Sequence, residues 1–316
     1  MFKYALKRIA VAIPTFFVVL VLVFALLRMV PGNPIYYMYP GEELSPQEVA
    51  ELEEYHGLND PIIVQFVRYL KDVFTGNWGN SYISGTPVFE NILRVWEPCI
   101  VMAVFATLIT VLIGVPAGVI CALKRNSALD YFVSSMSTVS STSPTVCWAL
   151  LLLYIFAYKL EWFPLYQPYP KLGKDFWLSL WVIALPSISL GVHHIASLAR
   201  ITRATMLDVI NQDYVRTAKA KGLPARKVHY KHALKNTLSL VGTNIIGSFM
   251  GMVGGSAVTE KVFGVRGLGT LATETMGGRD YSQEQAIVIL TAVIGLTMNL
   301  CMDIFYKWLD PRIEYE

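Results

Sequence analysis

The chain has 316 residues, of which 54% are hydrophobic and 16% are charged, with a formal net charge of +3 and a mean hydropathy of +0.47. Soluble domains carry about a quarter charged residues, so this composition excludes an ordinary soluble protein. Long apolar runs also exclude a barrel of alternating strands and indicate helices that cross a membrane.

Six apolar segments are each long enough to form a membrane helix, which needs roughly 20 residues. We therefore predict an all-α integral membrane protein with six transmembrane helices. The charge-free segments are Ile9–Leu27, Pro98–Leu123, Tyr131–Tyr158, Phe176–Ala199, Asn236–Thr259 and Gln285–Met302. The first follows three basic residues as in a signal peptide, but it is too long and lacks a small-x-small cleavage site, so we expect an uncleaved anchor.

Charge asymmetry predicts the orientation of these spans. If the N-terminus is cytoplasmic, the inner segments hold 16 Lys and Arg against 7 Asp and Glu, and the outer segments hold 10 against 16. The positive-inside rule favours this arrangement, with both termini cytoplasmic. The predicted domains are an anchor span (1–30), an external helical cap (31–97), a core of spans two to six (98–306) and a cytoplasmic tail (307–316).

The external cap between spans one and two is predicted to contain two helices. Ser45 and Glu48 form a capping-box pattern that starts the first, and Gly57 suits a left-handed residue at its end. The second covers residues 60–76, and its apolar face consists of Ile63, Phe66, Val67, Leu70 and Phe74. With ten acids against three bases over residues 30–97, the cap is either a solvated cover or a docking surface for a soluble partner.

Small residues recur at four-residue intervals in the fifth span, at Thr243, Gly247, Gly251 and Gly255. Such a ladder lets another helix approach closely, or leaves room for a passage. We predict that Gly247, Gly251 and Gly255 serve helix packing or the translocation path.

Several kinds of chemistry lack the residues that they need. Apart from His193 and His194, no ionisable side chain that could couple an ion gradient lies deep in a span. The chain has no P-loop motif, no HExxH motif, no convincing Ser/His/Asp set, and no CxxC spacing among its four cysteines. We predict no catalytic residue, no metal and no cofactor bound by this chain, so uphill transport would take its energy from another subunit.

Residues 200–235, between spans four and five, carry the strongest functional signal, because they hold nine of the 26 Lys and Arg residues. Apolar side chains recur every four positions at Met206, Ile210, Tyr214 and Ala218. This spacing predicts a helix with an apolar stripe, which Gly222-Leu-Pro224 ends before a second helix begins. A short helix that projects from the membrane could insert into a partner.

Simpler explanations of this charge compete with a docked partner. Positive charge can set topology alone, or bind anionic lipid. Nucleic-acid binding is disfavoured for a loop held at a membrane, so no nucleic-acid partner is expected. Topology alone would not need a helix with an apolar stripe, which favours a protein partner.

The motifs of this loop are Asp213-Tyr-Val-Arg-Thr-Ala-Lys-Ala-Lys-Gly-Leu223 and His232-Ala-Leu-Lys-Asn236. Further motifs are Val30-Pro-Gly-Asn-Pro34, Gly57-Leu-Asn-Asp-Pro61, Thr86-Pro-Val88 and Leu309-Asp-Pro-Arg-Ile313. Together they resemble ABC importer permeases, and more narrowly the dipeptide, oligopeptide and nickel permease family. The general pattern has Glu-Ala-Ala before the glycine, where this chain has Arg216-Thr217-Ala218, so only Ala218 and Gly222 carry over directly.

This resemblance implies the type I ABC importer permease fold in a bacterial or archaeal inner membrane. It also implies a second, similar permease subunit, two cytoplasmic ATPases that use ATP, and an external binding protein that delivers peptides or nickel. The residues it implies for ATPase coupling are Tyr214, Arg216, Thr217, Ala218, Lys219, Lys221 and Gly222. On the residues alone, two other functions remain open: a self-sufficient ion-coupled transporter, and a membrane anchor whose basic loop binds lipid or a regulator.

Overall fold

A computed structural model of the chain describes residues 2–39, 41–254 and 256–309. Within these residues the regular structure is helical, apart from an isolated β-bridge between Asn80 and Pro87. The α-helices are α1 (Phe2–Met29), α2 (Ile35–Met38), α3 (Pro46–Tyr55), α4 (Ile62–Thr75), α5 (Val88–Leu123), α6 (Ala128–Thr142), α7 (Thr145–Leu152), α8 (Phe176–Ile210), α9 (Asp213–Ala220), α10 (Ala225–Lys227), α11 (Leu234–Val253), α12 (Ala257–Phe263), α13 (Leu268–Gly278) and α14 (Tyr281–Leu309). Two π-helical segments follow α7 (Leu153–Lys159) and α10 (Val228–Ala233).

Among the residues that the structure describes, four helices are long and apolar enough to cross a membrane unbroken. They are Arg8–Met29, Val88–Leu123, Phe176–Ile210 and Tyr281–Ile304, which correspond to the first, second, fourth and sixth predicted spans. Two of them extend well beyond the predicted limits. α8 has 35 residues, so it is about 52 Å long against a hydrocarbon core of about 30 Å.

The third and fifth predicted spans are each two helices instead of one. α6 and α7 meet at an angle of 109°. Ser143 is extended there, with φ −80° and ψ 136°, as residues before proline usually are, and Pro144 has no N–H to continue the helix. In the fifth span, α11 ends at Val253, and the Ser256 side chain caps α12 by accepting from the Thr259 N–H. Counting each bent pair as one span gives the predicted six.

Two compact units are distinguished by their internal contacts. The first comprises Met1–Trp96 and Thr270–Cys301, and the second comprises Glu97–Gly269 and Met302–Glu316. This division groups residues 270–301 with the N-terminal segment, whereas the division predicted from sequence grouped them with the core.

The first unit contains the two predicted helices of the external cap. The Ser45 side chain accepts from the Glu48 N–H at 3.3 Å, and the Glu48 carboxylate accepts from the Ser45 N–H at 2.8 Å. The carboxylate also accepts from the Ser45 hydroxyl at 2.7 Å, and the two hydrogen bonds that it accepts from Ser45 hold the pKa of the Glu48 carboxyl below its usual value. Gly57 and Gly76, which follow the two helices, are left-handed with φ of +65° and +74°. The capping box and the glycine at residue 57 are confirmed.

The α4 helix packs against α1 with only part of its predicted apolar face. Phe66 and Tyr69 contact Phe24 of α1, with ring centroids 5.0 Å and 5.4 Å apart. The inner face runs through Phe66, Tyr69, Leu70 and Val73, at the three- and four-residue spacing of a helix. The predicted face was wrong for Ile63 and Val67, which are exposed because they lie away from the side that meets α1.

The core of the second unit lies where α5, α8 and α11 meet. Val119, Met206 and Val241, one from each helix, are buried in a shared cluster. Gly118 permits close approach of α5 to α8, because a Cβ there would lie 2.5 Å from the Ala199 carbonyl oxygen. These three helices support the segment that was predicted to bind a partner.

Candidate coupling site

The predicted partner-binding segment is a separate short helix, α9, between α8 and α11. α8 ends at Ile210, and Gln212 is extended (φ −69°, ψ 150°) before α9 begins at Asp213. The apolar stripe predicted to run continuously from Met206 to Ala218 is therefore wrong, because the helix breaks between them. Asn211, which caps α8, is of a residue type that favours caps and turns over helix interiors, and the extended Gln212 then changes the direction of the chain.

Packing of α9 defines its inner face. Val215 and Ala218 are buried against Val228 of the following π-helical segment. Tyr214, a member of the predicted apolar stripe, is 42% exposed. Ala218, which the resemblance implies for ATPase coupling, has its methyl group turned inward.

The opposite face of α9 is open. Because residues 215 and 218 point inward, the helical repeat of 3.6 residues directs Asp213, Arg216, Thr217 and Ala220 outward. All four are exposed, as are Lys219, Lys221 and Gly222. Residues 211–235 contain seven Lys and Arg against one acid, so the surface around α9 is strongly positive.

Gly222 terminates α9 in the left-handed conformation, with φ +73°. The Leu223 N–H donates to the Ala218 carbonyl at 3.4 Å, and the Gly222 N–H donates to the Lys219 carbonyl at 3.0 Å. This pair of hydrogen bonds is a Schellman motif, which requires a residue that tolerates positive φ. Among the described residues, no atom lies within 4 Å of a Cβ added at Gly222. The positive φ of this position, and not crowding within the chain, therefore explains why a glycine occupies it.

The α9 helix is held to its support by few contacts. Besides the cluster around Val215, the Asn236 side-chain amide donates to the Tyr214 hydroxyl at 2.7 Å. Asn236 lies in the first turn of α11. A hydrogen bond of this kind contributes about 1 kcal/mol, so α9 is tied to α11 without being buried in it.

The chain is similar to known membrane transport proteins over most of its length. The family model described as the binding-protein-dependent transport system inner membrane component matches residues 114–315. The model of the N-terminal part of such membrane components matches residues 1–91. The chain belongs to this family of permeases. The resemblance predicted from the sequence motifs is confirmed.

Curated relatives match this permease over its whole length. The dipeptide transport system permease protein DppB of Alkalihalophilus pseudofirmus is 36% identical over 335 aligned residues, covering 100% of both chains. The oligopeptide transport system permease protein OppB of Salmonella typhimurium is 35% identical over 319 residues, again covering 100% of both. The glutathione transport system permease protein GsiC of Salmonella paratyphi A is 35% identical over 316 residues, with the same coverage.

A solved structure shares the fold of the permease. The inward-facing MetNI methionine ABC transporter superposes with a TM-score of 0.59 at 16% sequence identity, covering 71% of this chain and 98% of that chain. The predicted type I ABC importer permease fold is thereby confirmed. The chain is a multi-pass membrane component of an ABC importer and not an enzyme, since ATP hydrolysis belongs to separate subunits of such transporters.

The predicted glycine ladder of the permease is also exposed. Thr243, Gly247 and Gly251 lie on an exposed face of α11, and Gly255 lies outside the described residues. No atom is found within 4 Å of a Cβ added at Gly247 or Gly251. Glycines that do bring helices together include Gly114 and Gly118 of α5 and Gly191 of α8, which lie where α5 meets α8, and Gly269 of α13, which contacts α12.

Two residues that support the coupling site were missed by sequence analysis. Arg203 of α8 makes a two-point ion pair with Asp130 at the start of α6, at 2.5 Å and 2.7 Å. Asp130 is the only acid in the short loop before the third span, and Arg203 lies just beyond the fourth. The sequence shows both charged residues, but it does not show that they pair, because 73 residues separate them.

Proposed function

We propose that this permease forms half of the translocation path of a peptide importer, and that separate ATPase subunits drive it by docking on α9. The observation that carries the proposal is the two-sided character of α9. Its inner face is packed on Val228, whereas its outer face and the basic residues around it are open. A helix that served only as a connector would not need an exposed, highly charged face of this kind.

The substrate class is inferred from the relatives. Two of the three similar permeases described above are named for dipeptide and oligopeptide transport, and they match from end to end. We extend peptide transport to this chain on that basis. Nickel, the other substrate that the resemblance implies, stays an untested alternative.

The proposed assembly contains a second permease subunit, two cytoplasmic ATPases and an external binding protein. The exposed face of α11 at Thr243, Gly247 and Gly251 would meet the second permease or border the path between the two halves. The charge asymmetry of the segments supports a cytoplasmic location of residues 200–235 and of both termini.

The contacts of α9 suggest how it would transmit movement. A displacement of α9 pulls on α11 through the hydrogen bond between Tyr214 and Asn236. The displacement also acts on the core that α5, α8 and α11 share, because only Asn211 and Gln212 separate the end of α8 from the start of α9. Closure of the two ATPases on ATP would thus draw the coupling helices together and switch the spans between inward- and outward-open states.

The test adds bulk to the outer face of α9 without disturbing its packing. In Ala220→Trp, a large side chain replaces an exposed methyl group in the last turn of α9. The matched control Arg125→Trp adds the same ring to the exposed loop before α6. Both variants are assembled with their partners in proteoliposomes, and peptide uptake and ATP hydrolysis are measured together.

We expect Ala220→Trp to reduce peptide uptake at least about tenfold, because the loss of one well-packed contact at an interface costs 1.4 kcal/mol or more. The control should transport normally. Normal uptake by an inserted and assembled Ala220→Trp variant would contradict the proposal. So would ion-driven uptake by the permease alone, which would instead identify a secondary transporter.

A further inference from the structure

A cavity of about 300 Å³ lies in the first unit, between the outer part of α1, the inner face of α4 and the start of α14. It is lined by two arginines, Arg28 and Arg68, by the acid Asp72 and by the aromatic side chain of Trp78. Arg68 is already paired with Asp60 at 2.6 Å, which leaves Arg28 and Asp72 as the charges available to a ligand. Neither the coupling mechanism nor the predicted translocation path uses these residues. A ligand that fits this cavity would carry both charges and would lie at the end of a membrane helix.

The two charges lack opposite charges of their own. Arg28 donates two N–H groups to the Gln65 side-chain oxygen, at 3.1 Å and 2.9 Å, and lies 3.5 Å above the Phe24 ring. Among residues 2–39, 41–254 and 256–309, no carboxylate lies within 4.0 Å of the Arg28 guanidinium, and no cation lies within that distance of the Asp72 carboxylate. Each is therefore free to bind an opposite charge on a ligand.

A buried hydroxyl lies in the same cavity. Tyr69 is 9% exposed, and its hydroxyl makes no hydrogen bond of good geometry within the described residues, although Gln285 lies beside it. Burial raises the pKa of Tyr69, so the hydroxyl keeps its proton and can donate it to an anionic oxygen. A buried polar group without a partner is unfavourable, and a ligand oxygen would satisfy it.

The surroundings of the cavity indicate a lipid. Arg28 lies in the last turn of α1, where an apolar membrane helix reaches the headgroup region. Phe17 and Val21, which precede Arg28 by eleven and seven residues and therefore lie on the same side of α1, are exposed below it. This apolar strip of α1 leads up to a polar cavity that contains both charges, as expected for an acyl chain next to a headgroup.

We propose that this cavity binds the headgroup of a zwitterionic phospholipid that carries a primary amine. The phosphate binds the free N–H groups of Arg28 and the Tyr69 hydroxyl, and the ammonium donates to the Asp72 carboxylate. The acyl chains follow the exposed strip of α1 below Arg28. A site of this kind holds the first unit at a defined depth in the bilayer.

The test is native mass spectrometry of the assembled transporter in detergent, titrated with phosphatidylethanolamine, phosphatidylcholine or phosphatidylglycerol of the same acyl chains. Phosphatidylcholine keeps the positive charge but cannot donate N–H bonds, and phosphatidylglycerol has no positive charge. We expect one tightly retained phosphatidylethanolamine per permease, bound about tenfold more tightly than either of the others, as loss of a charge-assisted hydrogen bond implies. Equal retention of all three lipids, or preference for phosphatidylglycerol, would overturn the proposal.

Substitutions of cavity residues test whether the retained lipid is bound in this cavity. Asp72→Asn should lower retention of phosphatidylethanolamine to that of phosphatidylcholine, and Arg28→Gln should weaken both. The controls Glu54→Gln and Lys71→Gln remove exposed charges of the same sign that do not line the cavity, and should change nothing. If Asp72→Asn behaves as Glu54→Gln does, the assignment of the ammonium site is wrong.

A soluble headgroup separates a lipid site from a site for a free phosphate compound. Glycerophosphoethanolamine offers the same phosphate and amine without acyl chains. We expect it to displace the lipid only at concentrations at least about a hundredfold higher, because it buries none of the apolar surface of α1. Displacement at equal concentration would show that the acyl chains play no part and would overturn the lipid proposal.

Discussion

Asp130 and Arg203 form a two-point ion pair in which Arg203 Nε lies 2.5 Å from Asp130 Oδ1 and Nη2 lies 2.7 Å from Oδ2. The Asp130 side chain is 4% exposed and that of Arg203 is 27% exposed. The pair joins the start of α6 to the part of α8 that leads into α9. The ion pair therefore holds the part of α8 that precedes α9 against α6, whereas α9 itself makes few contacts.

Removing one partner of this pair should destabilise the second unit strongly. Asp130→Asn leaves a largely buried guanidinium without its counter-charge, which costs about 3–5 kcal/mol. Thermal unfolding of the detergent-solubilised permease measures the loss as a lowered Tm. The double variant Asp130→Asn/Arg203→Gln should recover part of it, because it removes both charges.

An exposed ion pair in the same region provides the control. Arg216 Nη1 lies 3.7 Å from Asp213 Oδ1, with side chains 69% and 98% exposed. Asp213→Asn should change stability by less than about 1 kcal/mol, since exposed pairs contribute little. Equal shifts for Asp130→Asn and Asp213→Asn would contradict the structural role of the buried pair.

Substitutions at Gly222 separate two explanations of this glycine. If its role is the left-handed turn, Gly222→Asn should be tolerated and Gly222→Ala should cost about 1–2 kcal/mol, because asparagine visits this conformation more readily. If close approach to an ATPase is what matters, both should impair coupling, and Gly222→Trp should impair it most. Uptake per ATP hydrolysed, measured for the three variants, distinguishes the two. Full coupling by Gly222→Trp would exclude the second explanation.

Two glycines in different spans should respond differently to alanine. Gly118→Ala should destabilise the permease, because the new Cβ would lie 2.5 Å from the Ala199 carbonyl oxygen and 2.6 Å from Thr202 Cβ. Gly247→Ala should leave the isolated permease stable, since no atom lies within 4 Å of its added Cβ. The predicted effect of Gly247→Ala is weaker copurification of the second permease subunit. Unchanged pairing and transport would count against a role for this face.

The hydrogen bond between Tyr214 and Asn236 should contribute to coupling more than to folding. Tyr214→Phe removes the hydroxyl and keeps the ring, at a cost of about 1 kcal/mol. We expect a small shift in Tm and a measurable fall in peptide uptake per ATP hydrolysed. The control Tyr230→Phe alters an exposed tyrosine of the adjacent π-helical segment and should have no effect. Equal effects of the two variants would show that the hydrogen bond does not transmit movement.

Local sequence signals predicted the parts of the fold that local physics controls. Ser45 and Glu48 interact across three residues, so the capping box was visible in the sequence, and the Gly222 turn followed from its neighbour Pro224. The spans were found because charge-free segments of this length are rare in water-soluble domains. The family was identified from short motifs around α9.

Features that depend on contacts distant in sequence could not be predicted in this way. The pairing of Asp130 with Arg203 depends on how α6 and α8 pack, and many exposed charges are equally plausible partners in the sequence. The periodicity from Met206 to Ala218 fitted one continuous helix, but the break at Asn211 and Gln212 turned Val215 inward in place of Tyr214. The exposure of Ile63 and Val67 likewise follows from which side of α4 meets α1.

We propose that a separate ATPase contacts the outer face of α9 inside the cell, and site-specific cross-linking tests this contact most directly. A photo-activated cross-linker is attached to Ala220→Cys in membranes that contain the assembled transporter, with Arg125→Cys as the control for a different loop. We predict that position 220 captures an ATPase subunit and that position 125 captures far less. An assembled, ATP-hydrolysing transporter in which position 220 captures no ATPase, or in which that thiol reacts with a membrane-impermeant maleimide from outside intact cells, would contradict the account.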